Sequence, residues 1–413
     1  MFPKRTLLAA VAAAVAVGAQ QSAWQQCGGK NWSGETECVC GAVCTVVNDF
    51  FSQCIPGANA PAPTVTVTAT VTATATVTDV QTVTVTSAPQ STPSAPSGEI
   101  CAGPRTKFQF FGVNQSGAEF GNANIPGTLN KDYTWPSTDS VDFFMGKGFN
   151  TFRITFLMER LTPPATGLTG PFDADYLSGL TSIANYITSK GGFAVIDPHN
   201  FMRFDGEVIS STDDFQAFWT NLATVFKDNA NIIFDIQNEP HDIVASTVLS
   251  LNQAAVNGIR AAGATTQLIL AEGTSWTGAW TWTSSGNSAV FGQLKDPFNN
   301  TAIEMHQYLD SDGSGTNGTC VSPTIGAERL VSATNWLKNN GIRGFLGEFG
   351  GGANADCISA IQGMLCSMQQ SGVWIGALWW AAGPWWGDYF LSIEPPSGPA
   401  VAQILPEALE PFL

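Results

Sequence analysis

The sequence predicts an α/β protein built as a (β/α)8 TIM barrel, preceded by a small disulfide-stapled β module. Three observations lead there. From Cys101 to the C-terminus, eight short runs rich in β-branched and aromatic residues recur, and helical patterns lie between most of them. Polar and titratable residues gather at the C-terminal ends of those runs. Five of the nine cysteines crowd into the first sixty residues, a segment too small to hold a hydrophobic core without covalent staples.

The chain has 413 residues and opens MFPKRTLLAAVAAAVAVGAQQSAW. Lys4 and Arg5, an apolar stretch and then Val17-Gly18-Ala19 have the layout of a secretory signal peptide, so residues 1–19 are read as a leader and the protein as secreted and extracellular. The apolar run is shorter than the ~20 residues of a spanning helix. Export permits disulfides. A net charge of −16 leaves too little positive charge to neutralise phosphates, which excludes nucleic acid and anionic membranes as partners. A surface that is acidic, poor in charge and rich in Gly and Trp suits a neutral substrate, and a monomer is expected.

Residues 20–56 form the Cys- and Gly-rich module. Residues 57–99 differ in kind: TVTVTATVTATATVTDVQTVTVT sits between Pro-rich ends. Alternating Thr and Val also fits a strand, but with no partner segment an extended linker bearing O-linked sugars is preferred. Residues 100–413 carry the barrel. Its runs are FQFFGVN (108–114), NTFRITF (150–156), GFAVIDPHN (192–200), IIFDIQNEP (232–240), QLILAEG (267–273), AIEMHQYLD (302–310), GFLGEFGG (344–351) and WIGALWWAAG (374–383). Helical patterns such as DADYLSGLTSIANYITSKG and STDDFQAFWTNLATVFKDN separate them and end near Gly or Asn. No GxGxxG or Walker motif follows a strand, which weakens a nucleotide-binding alternative.

Such a barrel presents its chemistry at the C-terminal ends of its strands. Asn114, Arg153, His199, Asn238, Glu239, His306, Tyr308, Glu348 and Trp380 all fall there, as do all three histidines of the chain. Glu239 and Glu348 follow the fourth and seventh runs and so face one another across the mouth. Two carboxyl groups ~5–5.5 Å apart support retaining glycoside hydrolysis, one as nucleophile and one as acid then base. Asn238 is placed to hold a sugar 2-hydroxyl, Tyr308 to donate to Glu348, and Arg153 to keep Glu348 ionised. His199 and His306 suit positioning of the acid and the sugar hydroxyls, and burial among Trp side chains would keep Glu239 protonated. Glu272, ending the fifth run, is a rival carboxylate. Trp276, Trp280, Trp282, Trp385 and Trp386 lie on loops after the fifth and eighth runs, where rings stack against sugars in a long cleft.

IIFDIQNEPHD, EMHQYLDSDGSGT, GFLGEFGG and LWWAAGPWWGDY resemble the strand-end motifs of family 5 glycoside hydrolases, the cellulase family, and most of all its secreted fungal endo-β-1,4-glucanases. The resemblance covers nearly all of residues 101–413. It implies Glu239 as acid/base and Glu348 as nucleophile, with Arg153, His199, Asn238, His306, Tyr308 and Trp380 in support. Where the family often has His-Asn-Tyr, this chain has His199-Asn200-Phe201. CGGKNWSGETECVCGAVCTVVNDFFSQC (27–54) is similar to the fungal cellulose-binding module of family 1 in the spacing of four cysteines. That resemblance implies disulfides Cys27–Cys44 and Cys38–Cys54, leaves Cys40 extra, and puts a flat binding face on Trp24, Phe50 and Phe51, helped by Asn48 and Gln53. Cys320 and Cys357 resemble a bridge of related enzymes, whereas a Cys101–Cys366 pair stays open. Asn31, Asn114, Asn299 and Asn317 stand in N-x-S/T sequons, Asn114 in a position expected to be buried.

The expectation is a secreted endo-β-1,4-glucanase acting on cellulose and soluble β-1,4-glucans, without cofactor. No Cys/His spacing indicates a metal site. A β-mannanase on the same scaffold and a non-catalytic cellulose-binding protein are the rivals; a copper monooxygenase would need an N-terminal His where Gln20 or a neighbour stands.

Overall fold

Short runs that bury both faces and are separated by capped helices close most readily as parallel strands. The computed structural model describes residues 26–28, 30, 34, 36–38, 42–48, 51–56 and 100–413. Eight strands form a closed barrel: β1 (Phe110–Ala118), β2 (Thr151–Phe156), β3 (Phe193–Pro198), β4 (Ile232–Asp235), β5 (Leu268–Glu272), β6 (Thr301–Tyr308), β7 (Gly344–Gly350) and β8 (Trp374–Ala382). All eight pairings are parallel, and β8 closes on β1 through Gly376 beside Phe110. Two ends differ from the sequence reading. β1 runs on to Ala118, and β4 stops at Asp235, so Asn238 and Glu239 stand on the turn beyond the ladder.

The outer layer holds α1 (Thr138–Lys147), α2 (Ala174–Ser189), α3 (Thr212–Phe226), α4 (Ala245–Ala261), α5 (Ile325–Asn340) and α6 (Ala355–Ser371). Local chemistry sets their ends. Asp173 accepts from the Tyr176 N–H and Ser211 from that of Asp214, while Gly148, Gly341 and Gly372 close α1, α5 and α6 in the left-handed conformation. Along α3, Phe215, Phe218, Trp219, Leu222 and Phe226 make one buried stripe. After β5 no long helix forms. The Trp-, Thr- and Ser-rich segment there yields only the turns Asn287–Val290 and Phe291–Gln293.

The inside of the barrel has two kinds of layer. Phe110, Val195, Ile233, Leu268, Leu270, Ala302, Phe345 and Leu378 pack into an apolar plug toward the start of the strands. Nearer the strand ends the interior turns ionic, with Arg153, Asp197, Asp235, Glu272 and Glu304 all fully buried. That second layer is what the site stands on.

The N-terminal unit is a separate antiparallel sheet of Gln26–Gly28, Ala42–Asn48 and Phe51–Pro56, with the third strand central. Cys27–Cys44 and Cys38–Cys54 cross-link it. Trp24, Phe50 and Cys40, the leader 1–19 and the linker 57–99 lie outside the described residues, as do the side chains of Asn48, Phe51 and Gln53. In the barrel, Cys320–Cys357 fastens the loop after β6 to α6, and Cys101–Cys366 fastens the segment before β1 to the same helix. No helix among the described residues is long and apolar enough to cross a membrane.

The Cys101–Cys366 bridge closes a sequence separation of 265 residues, so its loss enlarges the unfolded ensemble. Replacing both cysteines by Ser should lower stability by about 2–4 kcal/mol in urea unfolding. An unchanged midpoint would show that the bridge restrains nothing in the unfolded chain.

Candidate active site

Arg153, at the centre of β2, organises the mouth of the barrel. Its guanidinium reaches Asp235 at 2.8 Å, Glu348 at 2.9 Å, Asp197 at 3.1 Å, Glu272 at 3.4 Å and Glu304 at 3.5 Å. It also donates to Asn114 Oδ1 and Asn238 Oδ1. Burial alone would lower its pKa, but the surrounding carboxylates overcome this and hold the guanidinium charged. Even with the His199 ring charged beside Asp197, two cations cannot balance five buried carboxylates, so some keep their protons. Burial drives Glu272 and Glu304 well above the usual range and Asp235 up to about 7. Both oxygens of Glu304 lack a hydrogen-bond partner, as befits a carboxyl that is not charged.

The two rim carboxylates are treated differently. Glu348 Oε1 accepts from Arg153 at 2.9 Å and Oε2 from the Tyr308 hydroxyl at 2.6 Å. Burial raises its pKa, and the charges of Arg153 and His199 and the Tyr308 hydrogen bond oppose that rise. Glu239 has only His306, whose Nδ1 lies 2.8 Å from Glu239 Oε1. Burial, and then the neighbouring Glu348, push Glu239 well above the usual carboxylate range. His306 itself is driven well below its ordinary value by burial and by Arg153, so the ring is neutral. One oxygen of Glu239 lies within 4.8 Å of one of Glu348.

Behind the sugar-facing groups, His199 Nδ1 meets Asp197 Oδ2 at 2.9 Å and its Nε2 lies 3.3 Å from Asn238 Nδ2. Trp380 stacks on the His199 ring, centroids 5.4 Å apart and planes 15° from parallel. Its neighbour Trp379 is fully buried and donates to the Leu391 carbonyl, so of the adjacent pair only Trp380 faces the cleft. Asn114 is fully buried and donates to the Gly347 and Trp379 carbonyls. Phe201 edges the rings of His199 and His241.

The cleft continues on both sides of the carboxylate pair. Beyond Glu239 lies a hollow of ≈ 420 Å³ walled by Trp276 and Trp280; beyond His199 lies another of ≈ 520 Å³ edged by Phe201 and Trp385. Two of the five loop tryptophans are not cleft platforms. Trp282 is fully buried against Phe291 and Trp336, and Trp386 packs between Phe120, Trp380 and Tyr389. Sequence proximity placed them in the right loops but could not give their direction.

Asp197, Asp235 and Glu304 were not singled out from the sequence. Their signal was present: each is a lone acid inside an apolar strand run, in FAVIDP, IIFD and TAIEMHQY. Glu272, Glu304 and His306 could together hold a metal ion, their ligand atoms lying within 4.8 Å of one another. The Arg153 guanidinium already supplies positive charge at that place.

A paired-carboxylate mouth on a (β/α)8 barrel defines a glycosidase. The family model described as Cellulase (glycosyl hydrolase family 5) matches residues 106–384, and that of the Fungal cellulose binding domain matches 23–51. The chain belongs to glycosyl hydrolase family 5 and carries a fungal-type cellulose-binding domain at its N-terminal end. It is 51% identical to Endoglucanase gh5-1 of Neurospora crassa and 50% identical to Endoglucanase 3 of Humicola insolens, each over 96% of both chains. The solved structure of XacCel5A in complex with cellopentaose is 39% identical, with a TM-score of 0.70 over 74% of this chain and 99% of that one.

The His199–Asp197 contact has a pH signature. Burial pulls the His199 pKa down, but the Asp197 charge and hydrogen bond outweigh it and raise the value to about 9, above the ordinary 6.5. Stability from this pair is therefore full below about pH 6.5 and lost as pH rises through about 9. His199→Gln should cost more stability in urea unfolding at about pH 6 than at about pH 9.5. Equal losses at the two values would mean that the ring is neutral throughout.

Proposed function

We propose that this chain hydrolyses internal β-1,4-glucosidic bonds of cellulose with retention, Glu348 acting as nucleophile and Glu239 as acid and then base. One observation carries the reading: two carboxyl groups within 4.8 Å of each other, with unequal partners. That separation leaves no room for the water that an inverting pair, ~6.5–9.5 Å apart, places between carboxylate and sugar. Charge support from Arg153 and Tyr308 suits Glu348 to attack. Burial without such support suits Glu239 to hold a proton.

In the first step a Glu348 oxygen attacks C1 while Glu239 gives its proton to the departing glycosidic oxygen. In the second, the Glu239 carboxylate takes a proton from water, the water oxygen attacks C1, and Glu348 leaves as a carboxylate. His199 borders the place of the sugar hydroxyls, with the fully buried Asn238 behind it at 3.3 Å, and Trp380 offers the ring an apolar face. Hollows on both sides of the pair let a chain run through, which favours internal cleavage of cellulose and of soluble β-1,4-glucans by a monomer. Neither nucleic acid nor membrane has a place in this reading.

The remaining assignments are part of the same proposal. Residues 1–19 direct secretion, 20–56 bind cellulose through Trp24, Phe50, Phe51, Asn48 and Gln53, and 57–99 tether that module to the barrel of 100–413. Tethering raises the effective concentration of the barrel at a cellulose surface.

Viscosity loss of carboxymethyl cellulose, measured beside galactomannan, tests the activity. The wild-type chain should thin the glucan and spare the galactomannan, Glu348→Gln should thin neither, and Glu239→Gln should lose about 10²–10⁴-fold. A fall on galactomannan only would move the substrate to mannan; no fall on either polymer would remove the enzymatic reading.

A further inference from the structure

Glu239 sits on its turn with φ of 45°, a left-handed conformation that strains a side chain other than glycine. A residue held there needs its backbone tied down. The Glu239 N–H donates to Glu272 Oε2 at 2.6 Å. Glu272 is the last residue of β5, fully buried, and its own carbonyl accepts from Asn252 Nδ2 at 3.0 Å. Its second oxygen, Oε1, lies 3.4 Å from Arg153 Nη2 and 3.6 Å from His306 Nε2. The opposite nitrogen of that imidazole is the one that touches the Glu239 carboxyl at 2.8 Å. The strained main chain of Glu239 is thus tied to one buried carboxyl, whereas the His306 nitrogen on the Glu272 side makes no hydrogen bond. Glu304, its partner in register on β6, stands at the same 3.6 Å from His306 Nε2, but neither of its oxygens has a hydrogen-bond partner, so it does not hold the Glu239 amide.

We propose that Glu272 is the positioning residue of the acid/base: it fixes the strained backbone of Glu239 by accepting its N–H, and through that backbone the place of the Glu239 carboxyl. The proposal rests on the assignment of Glu239 as acid and base. Glu272 lines none of the cleft hollows described above, so it acts through Glu239 and not on the sugar. An acid displaced by a fraction of an ångström protonates a leaving group poorly but hinders little when the leaving group needs no proton. Glu272 is therefore a determinant of which leaving groups the enzyme can expel.

Two soluble substrates read this: cellopentaose, whose leaving sugar needs a proton, and 2,4-dinitrophenyl β-cellobioside, whose phenolate leaves unaided. Glu272→Leu fills the same space without an acceptor. In the full-length chain it should lower kcat/KM on cellopentaose about tenfold or more while changing the dinitrophenyl substrate less than about threefold. Glu272→Gln keeps an oxygen for the Glu239 N–H and should restore most of the loss. If the Leu variant does not fold, Glu272→Asp, which withdraws the oxygen from the amide, takes its place with the same expected selectivity. An equal loss on both substrates, no loss on either, or a Gln variant no better than Leu would overturn the proposal. Glu239→Gln run alongside separates the two readings: should it fail to discriminate between the substrates, the acid/base assignment falls instead.

Discussion

Everything at the mouth of this barrel depends on one buried guanidinium. Five carboxyl groups lie within 3.5 Å of Arg153, and none could stay in so dry an interior as a charged set without it. The arrangement is frustrated in charge: two cations, Arg153 and the His199 ring, face several acids, and burial forces protons onto some of them. An electrostatic gradient results across a few ångströms. Of the rim pair, Glu348, held by Arg153 and Tyr308, is the better supported as a carboxylate; Glu239, held by a neutral imidazole, is pushed further above the usual range.

That gradient requires a rigid support. Asn114 ties β1 to the backbone of β7 and β8 through Gly347 and Trp379, and a side chain on Gly347 would overlap the Glu304 carboxyl. Below the ionic layer the apolar plug keeps water out, so the interactions above it are not screened. Strain is kept at the turn that carries Glu239, where the left-handed backbone aims a carboxyl across the mouth and not into the wall. Glu272 makes that turn tenable.

The cleft shows a different economy. Trp276 and Trp280 on one side and Trp385 on the other remain partly exposed, as rings that receive a polymer must, while Trp386 stands behind Trp380 and Trp282 fills core. Arg329 backs Trp280 at 4.2 Å and donates to the Tyr308 and Asp310 carbonyls, which locks the loop after β5 to the loop after β6. The walls of the cleft are therefore built from the barrel outward and are not free loops.

The sequence by itself determined the barrel, because strand and helix periodicities are local and eight of them in turn leave few other closures. It also determined the acidic pair, since rim positions follow from where each apolar run ends: Glu239 after IIFDIQN and Glu348 within GFLGEFGG were legible without coordinates. Three things only the tertiary structure decided. It set the direction of each loop tryptophan, which depends on packing partners distant in the chain, such as Trp336 for Trp282. It paired Cys101 with Cys366. Above all, it brought Asp197, Asp235, Glu272 and Glu304 around Arg153 from four different strands. An acid in an apolar run is visible in one dimension, but whether it meets a cation, a proton or nothing is settled only by closure of the barrel, because Coulomb interactions depend on distance in space and not along the chain.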